Sequence, residues 1–280
     1  MIRALIITSI LLFANSSYSQ VFGYGYGHLV YQNLLEKGVC YIKTGDAFFD
    51  STMLKALEDH WTVSDYTFVE QYKKPTQDAT ALFLTEKELT KKYFYDRAIQ
   101  KILVLQPSEN YKIRKEVPKE ETLAYMYYNG FHALATEEEY WRFNEYVIIV
   151  LNKGLEMIRD NKYKDNQVEL NNRIIEDVNA NNRSYNGNTL IINREMTRSF
   201  LDMDKVKSLD IKHKLLGKEE YYKALESDRK DYYLLYFSVN TGTELSLICV
   251  EDGRWIYTKQ FPEGYASIKP KELKLLKHYF

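Results

Sequence analysis

Residues 39–61, VCYIKTGDAFFDSTMLKALEDHW, pass from an apolar, strand-like run through Thr44-Gly45-Asp46 into a helical pattern with Met53, Leu54, Leu57 and Trp61 on one face. A strand-to-helix turn can do chemistry, because free backbone amides and the positive end of the helix meet where an anion is readily received. Here Asp46 and Asp50 stand at that spot, and carboxylates so placed cap the amides and repel an incoming anion. The expectation is a structural hinge, with Gly45 making the turn and Asp50 the helix N-cap.

Other chemistries need other spacings. His28, His60, His132, His213 and His278 are each at least 32 residues apart, so no local metal-binding pair of the H-E-x-x-H kind exists. The chain has no G-x-S-x-G elbow and no G-x-x-x-x-G-K-[ST] loop. Gly23, Gly25 and Gly27 alternate with aromatics and lack the dinucleotide-binding spacing. Acidic pairs such as Asp202 and Asp204 suit a helix N-terminus better than a calcium loop, which needs more oxygen ligands. No metal or cofactor is expected. The 25 tyrosines are the unusual feature of the composition. Tyrosine serves strands that are buried on one side and wet on the other, and it is also enriched where proteins meet partners. Tyr24, Tyr26, Trp61, Tyr127, Tyr128 and Trp255 are the candidate binding residues, although the spacing of Trp61 from Leu57 also fits a core anchor.

The elements that would position these residues follow from periodicity. Strands are expected at Val39–Thr44, Val63–Val69, Thr80–Thr85 and Lys101–Gln106, with a helix or irregular connection over EKELTKKYFYDRAIQ. Thr136 and Glu139 form a capping box ahead of a long helix to Asp160, followed by a polar, Asn-rich connection with some helix in its middle. Beyond it lie a strand at NTLIIN, helical MTRSFLDMDKVKSL, a strand at IKHKLL, helical GKEEYYKALES and a strand at DYYLLYFSV. A hairpin whose Asp252-Gly253 suits a two-residue type I′ turn comes next, and a helix begun by Pro270 closes the chain. The fold class is therefore α/β, in the mixed α+β sense, with two small strand-helix-strand units bridged by central helices. Residues 20–135 form the N-terminal unit, 136–187 the central helical connection and 188–280 the C-terminal unit.

The first 19 residues read as a signal peptide: Arg3, an apolar stretch from Ala4 to Ala14, then small Ser17 and Ser19 before a cut. The stretch is shorter than the roughly 20 residues that span a bilayer, and no later segment is longer, so no membrane span is expected. Cleavage near Ser19 makes the chain periplasmic or secreted. Loss of Arg3 with the leader leaves 37 Lys+Arg against 39 Asp+Glu, a balance of −2, with the two signs interleaved. That argues against nucleic-acid binding, which asks for a basic face. Cys40 and Cys249 each sit in an apolar run; an oxidising compartment would permit a bridge, and unpaired they would pack as small hydrophobes.

The stretches YIKTGDAFFDSTMLKALEDHW, VIIVLNKGLEMI, NTLIIN, KEEYYKALES, DYYLLYF and VEDGRWIY together resemble a family of exported Bacteroidota proteins of unknown function. The resemblance implies export and a mixed α/β architecture and transfers no catalytic residue. Asp50-Ser51-Thr52 also matches the short O-glycosylation pattern of such proteins, at a position that helix capping equally explains. The function expected is a non-enzymatic binding or envelope-associated module whose partner is an unknown protein or envelope component. The competing expectation is a hydrolase or transferase acting on glycans or peptides, with a site assembled only on folding.

Overall fold

The computed structural model describes residues 28–71, 73, 75, 79–88, 99–108, 122–128, 141–161, 173, 175–180, 188–194, 201–208, 211–226, 231–238, 243–261 and 267–280. The N-terminal unit opens with α1 (His28–Lys37), β1 (Val39–Ile42), α2 (Ala47–His60) and β2 (Tyr66–Val69). It continues with β3 (Thr80–Glu88), β4 (Ile99–Pro107) and β5 (Ala124–Tyr127). Its five-stranded sheet has the order β2-β1-β3-β4-β5. β1 runs parallel to β2 and β3, whereas β3, β4 and β5 are successively antiparallel. All four residues of β1 are buried, as a central strand covered on both faces requires.

After α3 (Asn144–Asn161) and a helical segment at 175–180 the same plan returns. It comprises β6 (Thr189–Asn193), α4 (Met203–Lys207), β7 (His213–Leu216), α5 (Lys218–Leu225), β8 (Tyr232–Ser238), β9 (Thr243–Cys249), β10 (Trp255–Phe261) and α6 (Pro270–Leu276). The second sheet has the order β10-β9-β8-β6-β7, with β6 parallel to β7 and β8 and the rest antiparallel. The two topologies are identical when β1 to β5 are matched to β6 to β10. Hydrogen-bond phase matches too. Val39 N–H donates to Asp65 O and Lys43 N–H to Val69 O; Leu190 N–H donates to Lys212 O and Arg194 N–H to Leu216 O. The mixed α+β class expected from the sequence is thus present, and its two sheets share one strand order.

Equivalent helices do not face each other. α2 and α3 pack on one face of the first sheet, against Leu82, Leu103, Leu105 and Met126. The same cluster continues through Tyr222 and Leu225 of α5 to Leu234, Tyr236 and Ile248 of the second sheet. Val206 of α4 and Leu273 and Leu276 of α6 cover the other face of that sheet, with Leu190, Leu235 and Leu247. The units are therefore stacked in the same sense, one behind the other.

α3 joins them. Its Asn144 amide donates to Phe49 O and Thr52 Oγ1 and accepts from the Tyr128 hydroxyl. Asn152 accepts from the Thr62 and Val63 amides beyond the end of α2. Toward the second unit, the Tyr146 hydroxyl lies 3.0 Å from both Leu225 O and Val250 O, and Phe143 meets the Tyr222 ring edge-on at 5.7 Å.

Several local expectations are corrected. β3 and β4 are nine-residue strands paired from Thr80–Pro107 out to Glu88–Ile99, so residues 86–88 and 99–100 are hairpin and not helix or irregular connection. α1 and β5 were not expected. The Thr136–Glu139 capping box lies outside the described residues, and α3 is described from Asn144. The type I′ turn does not form. Four residues, Val250–Gly253, connect Cys249 to Arg254, and Gly253 has positive φ (64°). That glycine is required twice over, because a Cβ there would also overlap Cγ2 of Ile149 on α3.

Gly253→Ala is expected to cost about 3 kcal/mol in urea unfolding, from left-handed backbone strain and overpacking together. Combined with Ile149→Ala, which removes the collision, the total loss should be smaller than the sum of the two single losses.

Candidate functional site

The C-terminal end of β1 is where a fold of this kind offers its backbone to a ligand. The local chain turns at Gly45, whose φ is 88° and whose missing Cβ leaves room for the Gln71 side chain. The helix N-cap is Asp46, with a carboxylate that accepts from the Phe49 amide at 2.9 Å. This corrects the expectation that Asp50 is the cap. Asp50 is buried instead, one turn into α2, and its Oδ1 accepts from the Tyr41 hydroxyl (2.7 Å), the Thr44 amide (2.8 Å) and the Thr44 hydroxyl (3.0 Å). Its Oδ2 accepts from the Gly45 amide at 3.0 Å. The chain's own carboxylate thus occupies the anion position, and the turn is a hinge. Burial, and after it the bond to Asp50, holds the Tyr41 phenol far above its usual range, so it acts as a donor only.

The residues expected on a binding surface lie elsewhere. Trp61 is in the core with its indole N–H on Ser64 Oγ, and Tyr128 is buried with its hydroxyl on Asn144. Tyr127 stacks edge-on with Tyr125 on the opposite face of the first sheet, and Trp255 is buried in the cluster shared by the units. None of the four presents its ring to solvent. Tyr24 and Tyr26 lie outside the described residues. Cys40 and Cys249 are both free thiols, buried in different sheets, so no disulfide joins them. Burial holds the Cys249 thiol above its usual range. Among the described residues, no three His, Cys, Asp or Glu side chains gather so as to hold a metal ion.

Two arrangements escaped sequence reasoning. The first is a polar group on the inner face of the second sheet. Glu244 is 2 % exposed; the Ser246 hydroxyl bonds its Oε1 at 2.6 Å and lies 2.8 Å from Thr258 Oγ1. Burial raises the Glu244 carboxyl to about 7 against the opposing pull of these hydroxyls. The group can hold or release a proton near neutrality, and it is buried on the sheet's inner face. A glutamate alternating with serine in an otherwise apolar strand, TELSLIC, is the signal that marks it. The second is an aromatic ladder at the surface. Phe48, on the first turn of α2, is 72 % exposed and lies 6.3 Å from the Trp141 ring. The Arg142 guanidinium stands 4.6 Å from Trp141 and 4.8 Å from Tyr222 of α5, and it pairs with Glu226. One apolar residue too many at the start of α2, AFF, is its trace in the sequence.

No family model, no curated protein and no solved structure matches this chain. Among the described residues no helix is long and apolar enough to cross a membrane.

Asp50→Asn, which turns an acceptor toward donors, is expected to cost about 3 kcal/mol in urea unfolding. Loss of the cap in Asp46→Ala should cost only about 1 kcal/mol. The reverse order would restore Asp50 as the cap. Glu244 binds its proton more tightly in the folded chain than in the unfolded one. The stability this confers is complete below pH 4 or so and is lost as the pH rises through about 7. Across that window the loss is about 3 kcal/mol. Chemical unfolding from pH 5 to pH 8 should show that decline, and Glu244→Gln should flatten it.

Proposed function

We propose that this chain is an exported, non-enzymatic module that binds a partner protein or another envelope component, its leader having been removed near Ser19. The single observation that carries the reading is the ladder of Phe48, Trp141, Arg142 and Tyr222. A phenyl ring left mostly in water beside an indole, next to an arginine held rigid between two rings, has the composition of a binding hot spot, where aromatic residues and Arg carry most of the energy. The ladder runs from α2 to Tyr222 of α5, across the seam between the units. Support for a binding role over catalysis comes from the polar groups. The Asp46 and Asp50 carboxylates and the Thr44 and Gly45 amides are all used in shaping the β1–α2 turn, and Glu244 is shut beneath its sheet. Export rests on the order of charge, apolar stretch and small residues in positions 1–19.

Fractionation of producing cells with intact-mass measurement tests the first part: the expected product begins at Gln20 and lies outside the cytoplasm, and an uncut cytoplasmic chain would refute export. A photocrosslinking phenylalanine analogue at position 48, with position 275 on the far helix as control, tests the second. The expected result is a discrete adduct from position 48 alone, lost when Trp141→Ala removes the ladder. Equal labelling from both positions, or none, would remove the ladder as the binding surface.

A further inference from the structure

Each sheet has two edges, and the four are not treated alike. On β10 the side-chain amide of Asn179 donates to Thr258 O and accepts from Thr258 N–H, both at 3.1 Å, closing that edge as a neighbouring strand would. On β5 the Tyr127 carbonyl accepts from the Tyr236 hydroxyl of the other unit. The edges at β2 and β7 are different. Because Val39 N–H bonds Asp65 O and Lys43 N–H bonds Val69 O, residues 65, 67 and 69 turn their backbone groups toward β1. Tyr66 and Phe68 therefore direct their N–H and C=O groups outward, and among the described residues nothing bonds them. By the same phase His213 and Leu215 face outward on β7.

We propose that β2 is a self-pairing edge: two copies of the chain join antiparallel through Tyr66–Val69 about a two-fold axis at Thr67, merging their N-terminal sheets into one. The outward residues lie symmetrically about Thr67, so each Tyr66 exchanges two backbone hydrogen bonds with Phe68 of the second copy, four in all. In this register every cross-strand pair is favourable or neutral. Tyr66 stands opposite Phe68, an aromatic pair made twice; Thr67 stands opposite Thr67; Asp65 faces Val69, and Ser64 faces Glu70. No like charges meet. The Phe68 ring, 51 % exposed, is held ready by Lys43, whose ammonium lies 4.6 Å from the ring centre and bonds Glu70. The other open edge refuses the same operation. Centring β7 on its own two-fold sets Lys214 against Lys214, a like-charge clash of the kind that guards edges. β2 is self-complementary in this register, and none of its residues belongs to the Phe48 ladder, so this pairing is independent of the binding role proposed above.

The mature chain, residues 20–280, is to be studied by sedimentation equilibrium and by oxidative crosslinking of Thr67→Cys. The non-hydrogen-bonded position at the axis brings the two Cβ atoms close enough for a disulfide. The expected results are a concentration-dependent dimer, rapid disulfide dimers from Thr67→Cys and none from Lys214→Cys, with native Cys40 and Cys249 buried and silent. Thr67→Lys, at an exposed site, should keep the monomer's circular dichroism and raise the dimer dissociation constant at least about tenfold. A chain that stays monomeric from micromolar to millimolar concentration would overturn the proposal. So would crosslinking of position 67 to position 214 in a mixture of the two variants, since that contact builds open chains and not closed pairs.

Discussion

The helix Asn144–Asn161 lies between two sheets, and a helix so enclosed can hold polar side chains only if each is bonded on the spot. Asn144, Tyr146 and Asn152 meet that condition with groups from both units. Asn144 and Asn152 bind opposite ends of α2, fixing where that helix starts and stops. Tyr146 reaches Leu225 O at the end of α5 and Val250 O in the β9–β10 connection. Apolar burial on both sides of the helix supplies the attraction, but these bonds set the register, since a slip of one residue would strand several of them in the core. The seam ladder and the hinge at Gly45 inherit their positions from this arrangement.

Two units of one topology have been adapted to different surroundings. In the first, the helix between the parallel strands is α2, long and packed against α3; in the second it is the five-residue α4, packed on the far face beside α6. The ladders match at Val39 and Leu190, and again at Lys43 and Arg194, so the parallel cores of the two units share one phase while their helices and loops differ. Buried polar side chains carry the difference: Asp50 and Tyr41 in one unit, Glu244, Ser246 and Thr258 in the other.

Much of this was legible in the sequence. Apolar runs and helical stripes marked β1, α2, α3, α5 and β8, because burial on one or both faces leaves a period that survives in the residues themselves. Strand β5 was passed over because AYMY is only four residues long, although Asn129-Gly130 close behind it is a turn signal. The cap of α2 was misplaced by one turn because Asp46 and Asp50 suit the role equally on type alone. What separates them is the Tyr41 hydroxyl, which periodicity does not see. The tyrosine count misled in a related way. Composition reports how many hydroxyls there are and not where they point. Tyr31, Tyr146 and Tyr236 aim theirs at carbonyls of Leu155, Leu225 and Tyr127, so they fasten layers together in place of meeting partners. Of the surface, only the extra phenylalanine at the start of α2 left a trace.

Stacking units in the same sense, and not face to face, has no internal stopping rule. α6 covers in the second unit the face that α3 covers in the first, but among the described residues only α3 has a further layer packed on its other side. The outer side of α6 carries Lys269, Lys271, Lys274 and Lys277 in solvent. A row of ammonium groups keeps its water and repels its own kind, whereas α3 offers Tyr146, Val147 and Val150 to its neighbours. The outer side of α6 is thus a solvated face, and exchanging its lysines for apolar side chains like those of α3 would leave a bare apolar surface of the kind on which another layer settles.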